Sequence, residues 1–171
     1  LDDPAARRWL TDLLSRRIGE YGLDFYRNDF NIDPLPFWQQ NDAPDRQGMT
    51  EIRYVEGHYA MWDAMRAAHP GLLIDNCASG GRRNDLETMR RSVPLHYTDY
   101  GYGDHQIKLA FHRTLYEWIP YFKECTLTWD VSGGTGASVQ YGKERFDSRV
   151  DSYAYHCALA PMLASGLDIR R

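Results

Sequence analysis

Two aspartates, Asp29 and Asp99, end two of the apolar segments of the chain, "LDFYRND" and "VPLHYTD". Cleavage of a glycosidic bond commonly needs two carboxyl groups, one ionised to attack or stabilise the anomeric carbon and one protonated to donate to the leaving oxygen. Asp29 and Asp99 are therefore candidates for such a pair. From spacing alone, Asp29 could equally be a cap of a helix or a loop.

Arg27 and Asn31 flank Asp29 at two residues on either side. As long as the chain is extended, residues two positions apart share one face, so these side chains would lie beside the carboxylate. An arginine close to a carboxylate lowers the pKa of that carboxylate and keeps it ionised, which suits a nucleophile. The alternative is that Arg27 forms a structural ion pair.

The segment "DNCASGGRRND", residues 75–85, is the second unusual stretch. Its glycines, Gly80 and Gly81, permit a tight loop whose backbone N–H groups can point at a ligand. The neighbouring Arg82 and Arg83 would attract an anion, but the GxxxxGK[ST] pattern of a phosphate-binding loop is missing. A plain turn, in which Asn84 or Asp85 caps the next helix, is compatible with ligand contact as well.

Alternating helices and strands must position these residues. Helical spacing and stop signals predict helices over residues 2–22, 49–68, 83–91, 105–116 and 145–159. Short apolar runs predict strands over residues 23–29, 72–77, 93–99, 124–130 and 161–169, and a proline-containing loop is expected before the second helix. Such alternation is typical of a parallel sheet with helical crossovers, so the predicted fold class is α/β.

Several predicted strands carry polar residues at their C-terminal ends, where α/β barrels and doubly wound sheets place their ligands. No GxGxxG follows the first strand, which argues against a dinucleotide site. A closed barrel has eight strands in about 250 residues, and only five are predicted here. We therefore expect residues 1–171 to form a single domain that is part of a barrel. Other residues, from a longer parent chain or from another subunit, would cover its open edges.

Composition excludes several classes of protein. The net charge of −4 is dispersed, so no basic stripe for nucleic acid is present. No apolar run approaches the ~20 residues that cross a bilayer, and residues 1–20 lack the apolar centre of a signal peptide, so a soluble chain is expected, in no particular compartment. The three cysteines are widely spaced, without CxxC, and a thiol nucleophile at Cys77 has no evident base. A metal-dependent hydrolase using His96 and His105 lacks HxH or HExxH spacing.

Three motifs together resemble glycoside hydrolase family 36, the α-galactosidases of the melibiase group. The family reads K-W-D-M-N at its nucleophile strand, where this chain has "RNDFN" at residues 27–31. The next strand and loop of the family read N-C-S-S-G-G-G-R-F-D, where this chain has "NCASGGRRND" at residues 76–85. The acid/base strand of the family ends in W-x-S-D, and "HYTD" places Asp99 at that aspartate.

The resemblance implies the fourth to eighth strands of a (β/α)8 TIM barrel and a retaining exo-α-glycosidase without metal or organic cofactor. It implies Asp29 as nucleophile and Asp99 as general acid/base, acting on terminal α-galactosides, in a barrel that further segments or a homo-oligomer could complete. The positions that it implies for substrate binding are Arg27, Asn31, Cys77, Gly80, Gly81 and Arg83.

Among the departures of this sequence from the family motifs, Arg27 replaces lysine, Asn28 tryptophan, Arg82 glycine and Asn84 an aromatic residue. Arginine and lysine are different donors, so these departures bear on which sugar is bound more than on the carboxylate pair. The alternative function is a non-catalytic barrel fragment that binds sugar or needs additional chain to be active. Carboxyl groups about 5–5.5 Å apart would indicate retention, and about 6.5–9.5 Å inversion.

Overall fold

The structure is a computed structural model that describes residues 1–78, 80, 82–94, 110, 113–114, 117, 124–127, 156 and 162–165. The chain divides into two compact units, Leu1–Ala78 with Arg83–Val93 and Ser79–Arg82 with Pro94–Arg171. The single domain expected over residues 1–171 stays a prediction. Within the described part of the chain, no helix is both long enough and apolar enough to span a membrane.

The first unit contains four helices and two strands among its described residues. In chain order these are α1 (Pro4–Tyr21), β1 (Phe25–Asp29), α2 (Leu35–Asn41), α3 (Met49–Ala68), β2 (Leu73–Cys77) and α4 (Leu86–Met89). The signals at both ends of α1 act as the sequence predicts. Asp3 accepts hydrogen bonds from the backbone of Ala5 and Ala6, and Gly22 ends the helix in the left-handed conformation at φ 62°.

The two strands of this unit pair in parallel and face α3. Tyr26 lies opposite Ile74, Arg27 opposite Asp75, and Asp29 opposite Cys77. Residues 74–77 of β2 are all buried, as expected for a strand that is covered on both faces. The core behind the strands consists of Ile18, Met61, Trp62, Met65, Leu72 and Ile74.

The segment between β1 and α3 differs from the expectation of a loop, because it contains α2. Pro36 occupies the first turn of this helix, where a missing N–H leaves no hydrogen bond unmade. The helix α3 then begins after Gly48, which is left-handed at φ 94° and offers no side chain as a cap. Asp42 supplies the cap instead, accepting from the backbone N–H groups of Gly48 at 2.8 Å and Thr50 at 3.0 Å.

The remaining predicted elements are met in part. The helix α4 is shorter than the predicted 83–91, and Asp85 caps it by accepting from the backbone N–H of Thr88 at 2.9 Å. Of the strand predicted over residues 93–99, Val93 bridges to Asp75 in parallel, and residues 95–99 lie outside the described residues. Most residues of the two later predicted helices also lie outside them.

In the second unit, β3 (Glu124–Leu127) pairs in parallel with β4 (Met162–Ser165), with Glu124 opposite Met162. Both strands fall within the last two predicted strands. The strands pair in parallel in both units, and helices α2 and α3 lie between β1 and β2 in the chain, which confirms the α/β class. The partial barrel stays a prediction.

Candidate active site

Arg27 lies between two carboxylates at the C-terminal end of the β1–β2 pair. Its Nη1 donates a hydrogen bond to Oδ2 of Asp75, and its Nη2 donates to Oδ2 of Asp29 at 3.4 Å. Strand alternation puts Arg27 and Asp29 on one face, and the parallel register brings Asp75 opposite Arg27. The two carboxylates differ in exposure, since the side chain of Asp75 is 2% exposed and that of Asp29 is 33% exposed.

The charge of Arg27 is firmly held. Burial disfavours the charged form, but the attraction of Asp75 and its hydrogen bond outweigh that effect and raise the pKa of Arg27. Arg27 is therefore a cation at any working pH.

Arg83 connects the ends of the two strands. Its Nη1 donates to the backbone carbonyl of Cys77 at 2.9 Å, and its Nη2 donates to the backbone carbonyl of Phe30 at 3.4 Å. The guanidinium carbon also lies 5.9 Å from the centre of the Phe30 ring. Burial is the main cause of the lowered pKa of Arg83. Arg83 therefore ties the last residue of β2 to the first residue after β1.

Behind the strands, Asn28 is fully buried against α3. Its Oδ1 accepts hydrogen bonds from the indole Nε1 of Trp62 and from the hydroxyl of Tyr26, both at 3.3 Å. The indole N–H can only donate, so it fixes which end of the Asn28 amide is oxygen. Asn76, which pairs with Asn28 in the register, donates its Nδ2 to the hydroxyl of Ser92 at 2.9 Å.

His58 of α3 lies in an aromatic environment close to the same strand ends. Its ring centroid is 4.4 Å from that of Trp62, 5.7 Å from Phe30 and 6.3 Å from Tyr54. Burial, followed by the positive charge of Arg83, lowers the pKa of His58 to about 3. Neither ring nitrogen has a hydrogen-bond partner among the described residues. The imidazole is therefore neutral over the physiological range.

The family model of Melibiase matches residues 2–110, which include β1, β2 and all the contacts of the candidate active site described above. The chain belongs to the melibiase family.

Relatives and a solved structure agree with this membership. Alpha-galactosidase 1 of Pediococcus pentosaceus is 30% identical over 81 residues, covering 47% of this chain and 11% of the relative. Alpha-galactosidase C of Emericella nidulans is 27% identical over 104 residues, covering 57% of this chain and 14% of the relative. The crystal structure of the alpha-galactosidase from Lactobacillus brevis is similar in fold, with a TM-score of 0.67 and 22% identity over 98% of this chain. The chain spans 21% of that structure, so it corresponds to a small part of these melibiase relatives.

In this melibiase chain, the predicted site residues fall into four groups. Arg27, Asp29, Cys77 and Arg83 come together at the strand ends of the first unit. Asn31 follows β1 and is exposed. Gly80 belongs to the second unit and is left-handed at φ 79°, in agreement with a tight glycine-dependent loop. Asp99 and Gly81 lie outside the described residues, as do His96 and His105.

Sequence reasoning missed Asp75 as a site residue and did not single out His58 or Trp62. Asp75 was noticed only as the polar end of a strand, although it lies two residues before Cys77 and so shares its face. His58 and Trp62 are one helical turn apart on α3, a spacing that marks a common face but not a polar role.

Proposed function

We propose that this chain is part of a retaining exo-α-glycosidase that hydrolyses terminal α-galactosides. The observation that carries the proposal is Asp29 itself, a one-third exposed carboxylate beside the cation Arg27, on the motif by which the chain resembles its family. The alpha-galactosidase names of the relatives support the substrate class. On this proposal the chain supplies the fourth to eighth strands of one barrel domain.

The proposed reaction is a double displacement. An oxygen of Asp29 attacks the anomeric carbon while Asp99 gives its proton to the leaving oxygen, so that a β-linked glycosyl ester forms and the aglycone leaves as an alcohol. Asp99, now ionised, then takes a proton from water, and the resulting hydroxide displaces Asp29 to release the α-sugar. Sugar hydroxyls would be bound by Arg27, Asn31, Cys77, Gly80, Gly81 and Arg83.

The local geometry supports the role of Asp29 in this scheme. The attacking carboxylate must be ionised, and Arg27 lies 3.4 Å from its Oδ2. It must also be held still, and the position of Asp29 at the end of a paired strand, next to a residue bound by Arg83, restricts its movement.

Substitution of the nucleophile tests the proposal. Asp29→Asn should reduce turnover of nitrophenyl α-galactoside by roughly 10⁴-fold or more, because an amide cannot form the ester, while substrate binding persists. Added azide should restore product formation in Asp29→Ala and yield the β-galactosyl azide, since azide attacks the face that the carboxylate has vacated. The matched control Asp24→Asn alters an exposed aspartate at the opposite end of β1 and should retain full activity.

Absence of azide rescue, together with full activity of Asp29→Asn, would contradict Asp29 as the nucleophile. A second candidate function is a non-catalytic segment that binds sugar or completes a larger barrel.

A further inference from the structure

We propose that Asp75 is a positioning residue of the active site, which holds Arg27 against Asp29 and remains as the counter-charge of Arg27 when Asp29 becomes an ester. The inference rests on the proposed function, in which Asp29 is the nucleophile. It adds a residue that the resemblance to the family does not include, and it gives Arg27 a second role beside the binding of a sugar hydroxyl.

The two hydrogen bonds of Arg27 are unequal. The bond to Asp75 goes to a carboxylate that is 2% exposed, whereas the bond to Asp29 is 3.4 Å long and goes to a carboxylate that is 33% exposed. A guanidinium is planar and rigid, so fixing one nitrogen fixes the direction of the other. Asp75 therefore determines where the N–H that faces Asp29 points.

The backbone of Asp75 is a rigid support, because β2 is held on both sides at this position. On one side Asp75 is paired with Arg27 of β1. On the other side it bridges to Val93, whose N–H donates to the carbonyl of Ile74 at 2.8 Å and whose carbonyl accepts from Asn76 at 3.2 Å. Asp29, in contrast, is the last residue of its strand.

Asp75 also balances the positive charge of Arg27 during the reaction. Before the reaction, two carboxylates face one guanidinium. When Asp29 forms the glycosyl ester it loses its charge, and Arg27 keeps Asp75 as its partner. Without Asp75 the ester would leave a partly buried cation unpaired, which is unfavourable.

The other charged and titratable groups near Asp29 are known for the described residues. Cys77 lies opposite it on β2, and Arg83 follows that strand. Tyr26 of β1 and Tyr54 and His58 of α3 lie around Arg83. A substitution of Asp75 by asparagine leaves all of these groups in place, so a change in the pH profile of the variant would report on the loss of one carboxylate.

The first test is the pH profile of kcat/KM in Asp75→Asn, measured with a nitrophenyl α-galactoside on the polypeptide in which the wild type is active. We expect the acidic limb of this profile to move to lower pH, because the site loses one negative charge. The plateau value should fall roughly tenfold, because Arg27 is no longer held in place and misplacement of a group in the site slows the chemical step. Asp75→Glu, which keeps the charge, should restore the wild-type acidic limb.

The matched control is Asp63→Asn. Asp63 is also paired with an arginine, Arg91, whose Nε lies 2.9 Å from its Oδ1, but it lies exposed on α3. This variant should leave both the acidic limb and the plateau unchanged. An acidic limb in Asp75→Asn that coincides with that of Asp63→Asn would overturn the proposal.

A double-mutant comparison remains informative even if Asp75→Asn does not fold, because Arg27→Gln/Asp75→Asn removes both charges of the pair. Since Asp75 acts by holding Arg27, adding Asp75→Asn to Arg27→Gln should change the plateau of kcat/KM by less than about twofold. A further tenfold loss in that background would overturn the proposal, because Asp75 would then act without Arg27.

A third measurement separates this inference from the proposed function, since it needs no turnover. Rotation of the Arg27 guanidinium, followed by ¹⁵N NMR of its Nη resonances, should be slow in the wild type and in Asp29→Asn, and fast in Asp75→Asn. This pattern in a longer polypeptide that supplies the remaining barrel strands and is nevertheless inactive would contradict the proposed function and support the positioning role. Fast rotation in Asp29→Asn would show that Asp29, not Asp75, holds Arg27, and would overturn it.

Discussion

At the scale of the residue, the side chains of β1 alternate between two environments. Arg27 and Asp29 lie on the face with Asp75 and Cys77, and Tyr26 and Asn28 lie against α3. The family motif has tryptophan where this chain has Asn28, so a buried amide replaces a large apolar ring. Such an amide needs hydrogen-bond partners, and the indole N–H of Trp62 supplies one from the facing helix.

His58 provides a prediction at this scale. Its pKa of about 3 in the folded chain lies below the usual 6.5, so between these values the unfolded chain binds the proton and the folded chain does not. Stability that is present above pH 6.5 is therefore lost as the pH falls towards 3. His58→Phe removes this titration and should move the midpoint of acid unfolding, measured by circular dichroism, to lower pH.

The control for this prediction is His69→Phe. His69 is half-buried and hydrogen-bonded to the hydroxyl of Ser15 at 2.7 Å, so its replacement removes a histidine without relieving an unpartnered buried imidazole. The acid midpoint of this variant should stay where it is or rise. If His58→Phe and the wild type unfold at the same pH, His58 is not the group that limits stability in acid.

At the scale of the element, the sequence predicts the helix ends and strands that depend on residues close together in the chain. The ends of α1 were readable from Asp3, Pro4 and Gly22, and β2 from its apolar run. The Arg27–Asp75 pair was not readable, since its partners are 48 residues apart and meet only through the strand register. In the segment before α3, the prolines predict a loop, because proline usually interrupts a helix. Pro36 instead lies in the first turn of α2, where proline is tolerated.

Arg83 joins the end of β2 to the residue that follows β1, because it donates hydrogen bonds to the backbone of both. Arg83→Met removes both hydrogen bonds, to the carbonyls of Cys77 and Phe30, and should reduce the free energy of unfolding by about 2 kcal/mol. A looser end of β1 should also lower kcat roughly tenfold, since misplacement of a reacting group slows the chemical step. Denaturant titration and steady-state kinetics measure the two effects.

Two variants control this experiment. Arg82→Met alters the adjacent, exposed arginine and should leave both stability and kcat unchanged. Arg83→Lys keeps the charge but lacks the planar fork that reaches two acceptors, so it should recover only part of the loss. Full recovery by lysine would show that the charge of Arg83, and not its link between the two strand ends, is what the site needs.

At the scale of the whole molecule, the face of the β1–β2 pair that carries Arg27 and Asp29 is apolar at its other end. Phe25 and Leu73 are opposite each other in the register and are 41% and 56% exposed. In a closed barrel, the side chains on the inner face of each strand pack against inner side chains of the other strands and fill the barrel interior. Exposure of these two residues agrees with the proposal that further strands belong against this face.

The 171-residue chain should differ in dye binding, self-association and activity from a longer polypeptide that carries it and supplies the remaining strands of a barrel. Because the exposed pair Phe25 and Leu73 then becomes covered, the chain alone should bind a hydrophobic dye and self-associate, and the longer polypeptide should do neither. Activity on nitrophenyl α-galactoside should appear in the longer polypeptide and be lost again with Asp29→Asn. Equal activity of both polypeptides, without dye binding by the 171-residue chain, would show that this chain forms its active site without further strands. Activity in neither would favour the non-catalytic alternative, in which the chain contributes structure or weak sugar binding.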